Sequence, residues 1–515
     1  MNNVRKLSVF LLLSAGVNSA VLADSRCSTD CNTSSLSSSC DTRCSTDCSI
    51  DCDTDCDTDC NGSSNCSTVF RARPIVGNLT YRNNLTYFNR YHDARCNFFT
   101  WDSTYIFEKN RHSRCAGSGI FGTNNGTLTV GETGADINPI FLGLGANTTD
   151  GYSATLTVRP RRRVFSWLSQ LTFNLDSCCT GLWTDLSFAV TNVRHRLCLT
   201  ETDTGTNVIP SGTNGTTPGT VAAALTDLGV LPTRCRRTGV DDAMIRLGYD
   251  WNFCGNDHVG FYGLGYIPTG RRRHNGQLFQ PTVGTKNGGL GFGFTADYTA
   301  WSDESSNSDI VLMTEFKYTF MFRHKEARVF DLNNGPLSRF LLVAPETDTF
   351  AAQPILPFLT QCVKVQMRST IDWWLGMHWQ YCNWGAEFDY NLYWRDRERI
   401  CRANFDFGNF GLYDINNVCG NSTSSSTATP GGAVGAGTSD TVFTPLTSSD
   451  VNLRSAAACK ALVSTISGSI SYNNVWCDCY PWYLGFGGNV EFASRKQRRS
   501  NFENWGVFGK AAISF

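Results

Sequence analysis

The sequence predicts an all-β protein, an antiparallel transmembrane β-barrel. Three observations predict it. Long runs alternate apolar and polar residues with the period of a strand. The runs reach the length of a tilted membrane strand, and Trp and Tyr collect at their ends, where interfacial girdles sit. The polar faces carry charges of both signs, which suits a wet interior better than the outer face of a soluble sandwich.

The bulk numbers leave strands as the means of crossing. Formal net charge is −1 over 515 residues, so no global charge favours nucleic acid as a partner. Mean hydropathy is −0.23, and only one apolar run stands out, "LSVFLLLSAGVNSAVLA", directly after Arg5 and Lys6. It is shorter than the roughly 20 residues of a membrane helix. Its basic start and the small residue Ala23 predict a secretory signal over 1–23. Export would place the 23 cysteines in an oxidising compartment.

Residues 24–68 read as a disordered, cysteine-rich, low-complexity tail, with almost nothing apolar to build a core. Nine cysteines fall here: Cys27, Cys31, Cys40, Cys44, Cys48, Cys52, Cys56, Cys60 and Cys66. Zinc sites favour paired spacings on a folded support, so the tail is expected to form disulfide cross-links rather than hold a metal. Residues 69–96 are expected to be either a plug or a first strand, and 97–515 the barrel.

Within the barrel the alternation can be followed run by run. In "CVKVQMRSTIDWWLGMHWQY", Val363, Val365, Met367, Ile371, Trp373 and Leu375 oppose Lys364, Gln366, Arg368, Thr370 and Asp372. In "NWGAEFDYNLYWR", Phe388, Tyr390, Leu392 and Trp394 oppose Glu387, Asp389, Asn391 and Arg395. "IVLMTEFKYTFMFR", "AMIRLGYDWNF", "VFSWLSQLTFNL" and "LWTDLSFAVTN" repeat the pattern. With "NFFTWDSTYIFE" and the stretch from Thr80 to Phe88 included, the count is about 14 strands, within roughly 12–16. Short connections near Cys178, Cys254, Glu304, Cys382 and Cys477 are expected on the periplasmic side. Longer ones, about 198–241, 269–287, 324–363 and 396–463, are expected outside.

The polar faces supply the candidate pore lining: Asp185, Arg246, Asp250, Asp297, Glu315, Lys317, Arg323, Lys364, Arg368, Asp372, Glu387, Asp389, Arg395, Glu491 and Lys510. Opposed charges across a wet lumen would set ion preference. Three basic clusters, Arg161–Arg163, Arg271–Arg273 and Arg495 to Arg499, are expected in outward connections. There they would meet lipopolysaccharide phosphates by charge pairing or simply be solvated. Enzyme motifs such as HExxH, a P-loop or GxSxG are absent from the sequence. The expectation is a protein that is not an enzyme, with no catalytic residues, metal or cofactor.

The final run, "NWGVFGKAAISF", puts Trp505, Val507, Ile513 and Phe515 on one face. It resembles the C-terminal signature of Gram-negative outer-membrane β-barrel proteins, porins among them. That resemblance implies an outer-membrane location, contact with outer-membrane lipid and lipopolysaccharide, and reading of these four residues by the barrel-assembly machinery. "GFYGLGYIPTG" followed by "GGLGFGFTADY" is similar to strand pairs in outer-membrane channels for hydrophobic compounds. The cysteine tail resembles, in type, the cross-linked envelopes of chlamydia-like bacteria, whose major barrel protein is a cysteine-rich porin. This resemblance implies homo-oligomers or disulfide-linked envelope proteins as partners. The expected function is passive diffusion of small hydrophilic solutes. The alternatives are a plugged channel for hydrophobic compounds and a cross-linked structural or adhesive envelope protein.

Overall fold

Twelve antiparallel strands pair in sequence order and the last closes on the first. They are β1 (Phe99–Asn110), β2 (Ala154–Asn174), β3 (Leu182–Asp203), β4 (Ala243–Asn252), β5 (His258–Ile267) and β6 (Gly289–Asp303). The ring continues with β7 (Ser308–Val329), β8 (Thr360–Tyr381), β9 (Trp384–Arg395), β10 (Ala461–Trp476), β11 (Tyr480–Ala493) and β12 (Asn504–Ser514). Closure runs from Thr100 opposite Ser514 to Asn110 opposite Asn504. It leaves no open strand edge, as a bilayer requires.

The computed structural model describes residues 69–83, 98–111, 113–121, 123, 126–131, 134–144, 152–175, 178–203, 220–230, 235–253, 257–270, 277, 279–346, 352–400, 403–413, 428–430, 443–477, 479–493 and 502–515. The signal, the cysteine tail and the basic clusters Arg271–Arg273 and Arg495 to Arg499 lie outside them. The expected 14 strands are corrected to 12 in the ring, with three short strands attached to its sheet at Thr127–Val130, Cys235–Val240 and Arg399–Ile400. The candidate strand from Thr80 to Phe88 is corrected at its described start, Thr80–Asn83. Instead Leu79–Asn83 is a helical turn, α1, because the Asn78 side chain accepts the Thr80 N–H at 3.1 Å and caps it.

The wall is the reverse of a soluble protein. Outward side chains such as Phe292 and Phe486 are 59% and 60% exposed, while inward Asp185, Asp372 and Lys510 are each 1% exposed. Apolar area left bare on this scale is covered by lipid in the folded state. Five short turns, 175–181, 253–257, 304–307, 382–383 and 477–479, join strands at one rim, where β1 also begins and β12 ends. That rim is periplasmic by loop length. The other six connections are long, and their apolar side chains pack into a core on the outer side. Phe279, Phe330, Phe340, Leu359, Phe405 and Phe407 belong to it.

One local reversal matters for the interior. In β8, Val363, Val365 and Met367 are buried, and then Thr370, Asp372 and Trp374 are. In β7 the inward set shifts likewise, from Lys317, Thr319 and Met321 to Glu326 and Arg328. Pairing stays in register across the change, with Arg368 opposite Met321 and Gln366 opposite Arg323. Arg368 takes φ 58 at this point, in the left-handed region. Both strands turn over by one residue, so a face that was polar becomes apolar.

Candidate functional site: the barrel interior

Residues 69–83 engage inward side chains of β1, β3, β7, β8, β9 and β12, which lie around the ring. The segment runs extended to Pro74, turns at Ile75–Gly77 and ends in α1. At the outer end, Arg71 donates from Nε to Glu398 at 2.6 Å and from Nη2 to Glu326 at 2.8 Å. Arg328 spans the same two carboxylates at 3.0 Å each, making a closed ring of two cations and two anions. The Ala458 N–H adds a third bond to Glu398. Burial pushes the Glu398 carboxyl up, but the Arg328 and Arg71 guanidiniums outweigh it and hold it down at about 2.

Further along, Arg73 pairs with Asp372 at 2.5 Å and donates to Asn391 at 2.8 Å. Lys317 lies 3.3 Å from Asp372 and also donates to the Gly77 carbonyl. A Cβ on Gly77 would meet the Tyr266 hydroxyl at 2.3 Å, so only glycine lets the turn pass this wall. The Ile75 N–H donates to Asp241 at 2.8 Å. Burial, with the Asp242 carboxylate beside it, pushes the Asp241 carboxyl up to about 7. At the inner end, Arg82 pairs with Asp185 at 2.7 Å, and Arg246 joins the same carboxylate at 2.6 Å. Lys510 donates to the Arg82 carbonyl at 2.8 Å and pairs with Asp102 at 2.9 Å.

Between these polar anchors lies an apolar belt. Ile75, Val76 and Tyr81 of the segment pack with Ile106, Leu168, Met244, Leu264, Met321, Met367 and Phe508 of the wall. Phe70 belongs instead to the outer apolar core. A neighbouring cavity, lined by Arg73, Glu108, Arg162, Tyr393 and Glu491, holds about 30 Å³, room for a water or two and not for a solute.

Of the candidate lining residues, Asp185, Arg246, Asp297, Glu315, Lys317, Asp372, Glu387, Asp389, Arg395, Glu491 and Lys510 are buried, and Asp250 is half-buried. Three are corrected. Arg323 is exposed and bonds Gln366, Lys364 is half-buried beside inward Val363 and Val365, and Arg368 pairs with Asp396 with its side chain 37% exposed. The turn-over at Arg368 moves them off the inner face. Arg161–Arg163 are corrected from a loop to the interior of β2, where Arg162 points inward to Glu108 at 3.2 Å. Trp505, Val507 and Ile513 lie half-buried on the outward face of β12, and Phe515 follows it.

The sequence reading missed Arg71, Arg73, Arg82, Glu326, Arg328, Glu398, Asp102 and Glu108. "RARP" followed by "GN" was the available sign of an ordered segment: paired arginines two apart, then a turn and a helix cap.

The nine expected cross-linking cysteines lie outside the described residues. Among the described residues Cys178, Cys179, Cys198, Cys382, Cys477 and Cys479 are free thiols, so the disulfide expectation finds no support there. No group of His, Cys, Asp and Glu is arranged to hold a metal among the described residues.

Comparison with known proteins gives three results. The family described as "MetA-pathway of phenol degradation" matches residues 183–331, fewer than a third of the chain. No curated protein matches the sequence. Among solved structures, an outer-membrane channel of Pseudomonas putida F1 is 7% identical with TM-score 0.36, covering 82% of this chain and 99% of its own. The monoaromatic hydrocarbon channel CymD is 9% identical with TM-score 0.27, covering 87% and 99%. The toluene transporter TodX of Pseudomonas putida is 8% identical with TM-score 0.26, covering 87% and 97%. The expectation of passive hydrophilic diffusion is corrected by the occupation of the barrel interior by residues 69–83, which bond inward side chains around the wall. The chain closes as a twelve-stranded β-barrel with an apolar outer face, the architecture of an outer-membrane barrel.

Proposed function

We propose that the barrel is a channel for hydrophobic compounds, held closed by residues 69–83 acting as a plug. The observation that carries this reading is the inward apolar belt, where Ile75 and Val76 share one buried apolar cluster with Leu168, Met244, Leu264, Met321 and Met367. A wall serving ions or sugars gains nothing from apolar side chains at mid-lumen, because each leaves water without hydrogen-bond partners. An apolar solute gains from each of them. The plug touches both apolar regions, through Phe70 in the outer core and Val76 in the belt. Its displacement would uncover an apolar track between them. The ion pairs at its two ends give the closed state its register.

The outward residues Trp505, Val507, Ile513 and Phe515 of the closing strand would be what the assembly machinery reads. The test of transport is entry of the neutral aromatic probe N-phenyl-1-naphthylamine into Gram-negative cells expressing the protein. Faster entry than in cells with empty vector supports the reading. Equal entry, together with swelling of proteoliposomes in sugar solutions, refutes it.

A further inference from the structure

The outer wall of β2 and β3 carries a basic patch that the interior does not use. Arg159, Arg161 and Arg163 of β2 and Arg194 and Arg196 of β3 are all exposed. Arg236, on the attached strand Cys235–Val240, is exposed beside them. The register sets like against like: Arg161 opposite Arg196, and Arg163 opposite Arg194, which is itself opposite Arg236. Directly opposed side chains on one face stand about 5 Å apart at Cβ, and like charges so placed destabilise a sheet. Among the described residues none of the five arginines on β2 and β3 has a carboxylate partner. Arg162, which lies between them but faces inward, does have one in Glu108.

The level of the patch identifies what would balance it. The next outward residues toward the periplasm are Phe165, 50% exposed, and Trp167 on β2, with Asn192, then Val190 and Phe188, on β3. From Phe165 to Phe173 the outward side chains cover about the length of a membrane strand. The arginines therefore begin where the apolar band ends on the outer side, which is the depth of lipid phosphates. At the same level β6 and β7 carry Leu290, Phe320 and Phe322 outward, followed by Arg323, which bonds Gln366, so facing arginines without such partners mark the β2–β3 wall.

We propose that this patch is a site for the phosphate groups of the phosphorylated glycolipid that forms the outer leaflet. Guanidinium forks pair phosphate oxygens two at a time, and a bound phosphate relieves the repulsion between facing arginines. The site fixes one lipid against the β2–β3 wall and does not depend on what the barrel transports.

The test uses the full chain in detergent, with native mass spectrometry counting bound bisphosphorylated lipid A. The comparison protein is the quadruple variant R161Q/R163Q/R194Q/R196Q, and R323Q on β7, outside the patch, serves as control. Wild type and R323Q are expected to retain lipid A, with the quadruple variant binding at least about tenfold more weakly. Without lipid, the quadruple variant is expected to melt higher than wild type, since removal of facing like charges stabilises the sheet. Equal binding by wild type and the quadruple variant overturns the proposal. Equal binding of dephosphorylated lipid A does so too. Equal competition by inorganic phosphate at the same concentration overturns the lipid as occupant. If the quadruple variant does not fold, R161Q and R196Q singly decide: unchanged lipid A retention in both overturns the site.

Discussion

Arg71 and Glu398, 327 residues apart in sequence, meet at 2.6 Å inside the barrel. Their contact joins the start of the described chain to the connection after β9. It is one side of a four-membered ring with Glu326 and Arg328. Removing one member of a buried set leaves an opposite charge without its full complement, which costs about 3–5 kcal/mol for an isolated pair. Arg328 remains to cover both carboxylates, so Arg71→Ala is expected to cost about 3 kcal/mol, the low end. The folded, heat-modifiable band on a gel should disappear at a lower temperature. The double variant R71A/E398Q should lose less than the sum of its singles.

The same ring sets an acid limit. Glu398 is held at about 2 in the folded state against an ordinary value of 4.5. A depressed carboxyl contributes stability above its unfolded value and loses it as pH falls toward the folded one. The contribution of Glu398 to the stability of the closed barrel should therefore be level above about pH 5 and fall between about pH 4.5 and 2. Glu398→Gln should flatten that fall. The unfolding midpoint measured across this window, for wild type and E398Q, checks it; parallel curves would remove Glu398 from the account.

Gly77 passes close against the wall, with the Tyr266 hydroxyl 2.3 Å from where a Cβ would stand. Gly77→Leu should lift the turn off the wall and free the Lys317 bond to its carbonyl. Trypsin should then cut at Arg71 or Arg82 at least about tenfold faster than in wild type, while the barrel band survives heating to nearly the same temperature. Equal cutting rates would mean the turn tolerates the side chain.

Orientation follows from loop length and is open to a direct check. Cys382, in the turn after β8, and Cys362, near the start of β8, are both exposed, at opposite ends of one strand. In variants keeping only one of them, an impermeant maleimide added to intact cells should label Cys362 and reach Cys382 only after the outer membrane is opened. The reverse order would invert the barrel.

The legible part of the fold was whatever alternation alone decides. Glu315, Lys317, Asp372, Asp389 and Lys510 fall inward because strand period and lipid contact leave no other choice. The reading failed where the period changes phase. Nothing in "QMRST" marks the turn-over at Arg368, so Lys364, Arg368 and Arg323 were put on the wrong face, and Glu326 and Arg328 were missed. It failed again where partners are remote, since Arg71 finds Glu398 only once the ring closes. The arginine run in β2 looked like a loop because charge was read without register. Paired with Arg194 and Arg196, the run becomes a surface.

The most direct measurement of the central claim is the current through a planar bilayer holding the full chain, with a variant lacking residues 69–83 as the control for insertion. The account predicts that the full chain inserts but stays silent and that the deleted chain conducts in discrete ohmic steps. Ohmic steps from the full chain would contradict it, since a lumen closed by Arg71, Arg73 and Arg82 against Glu398, Asp372 and Asp185 cannot carry them.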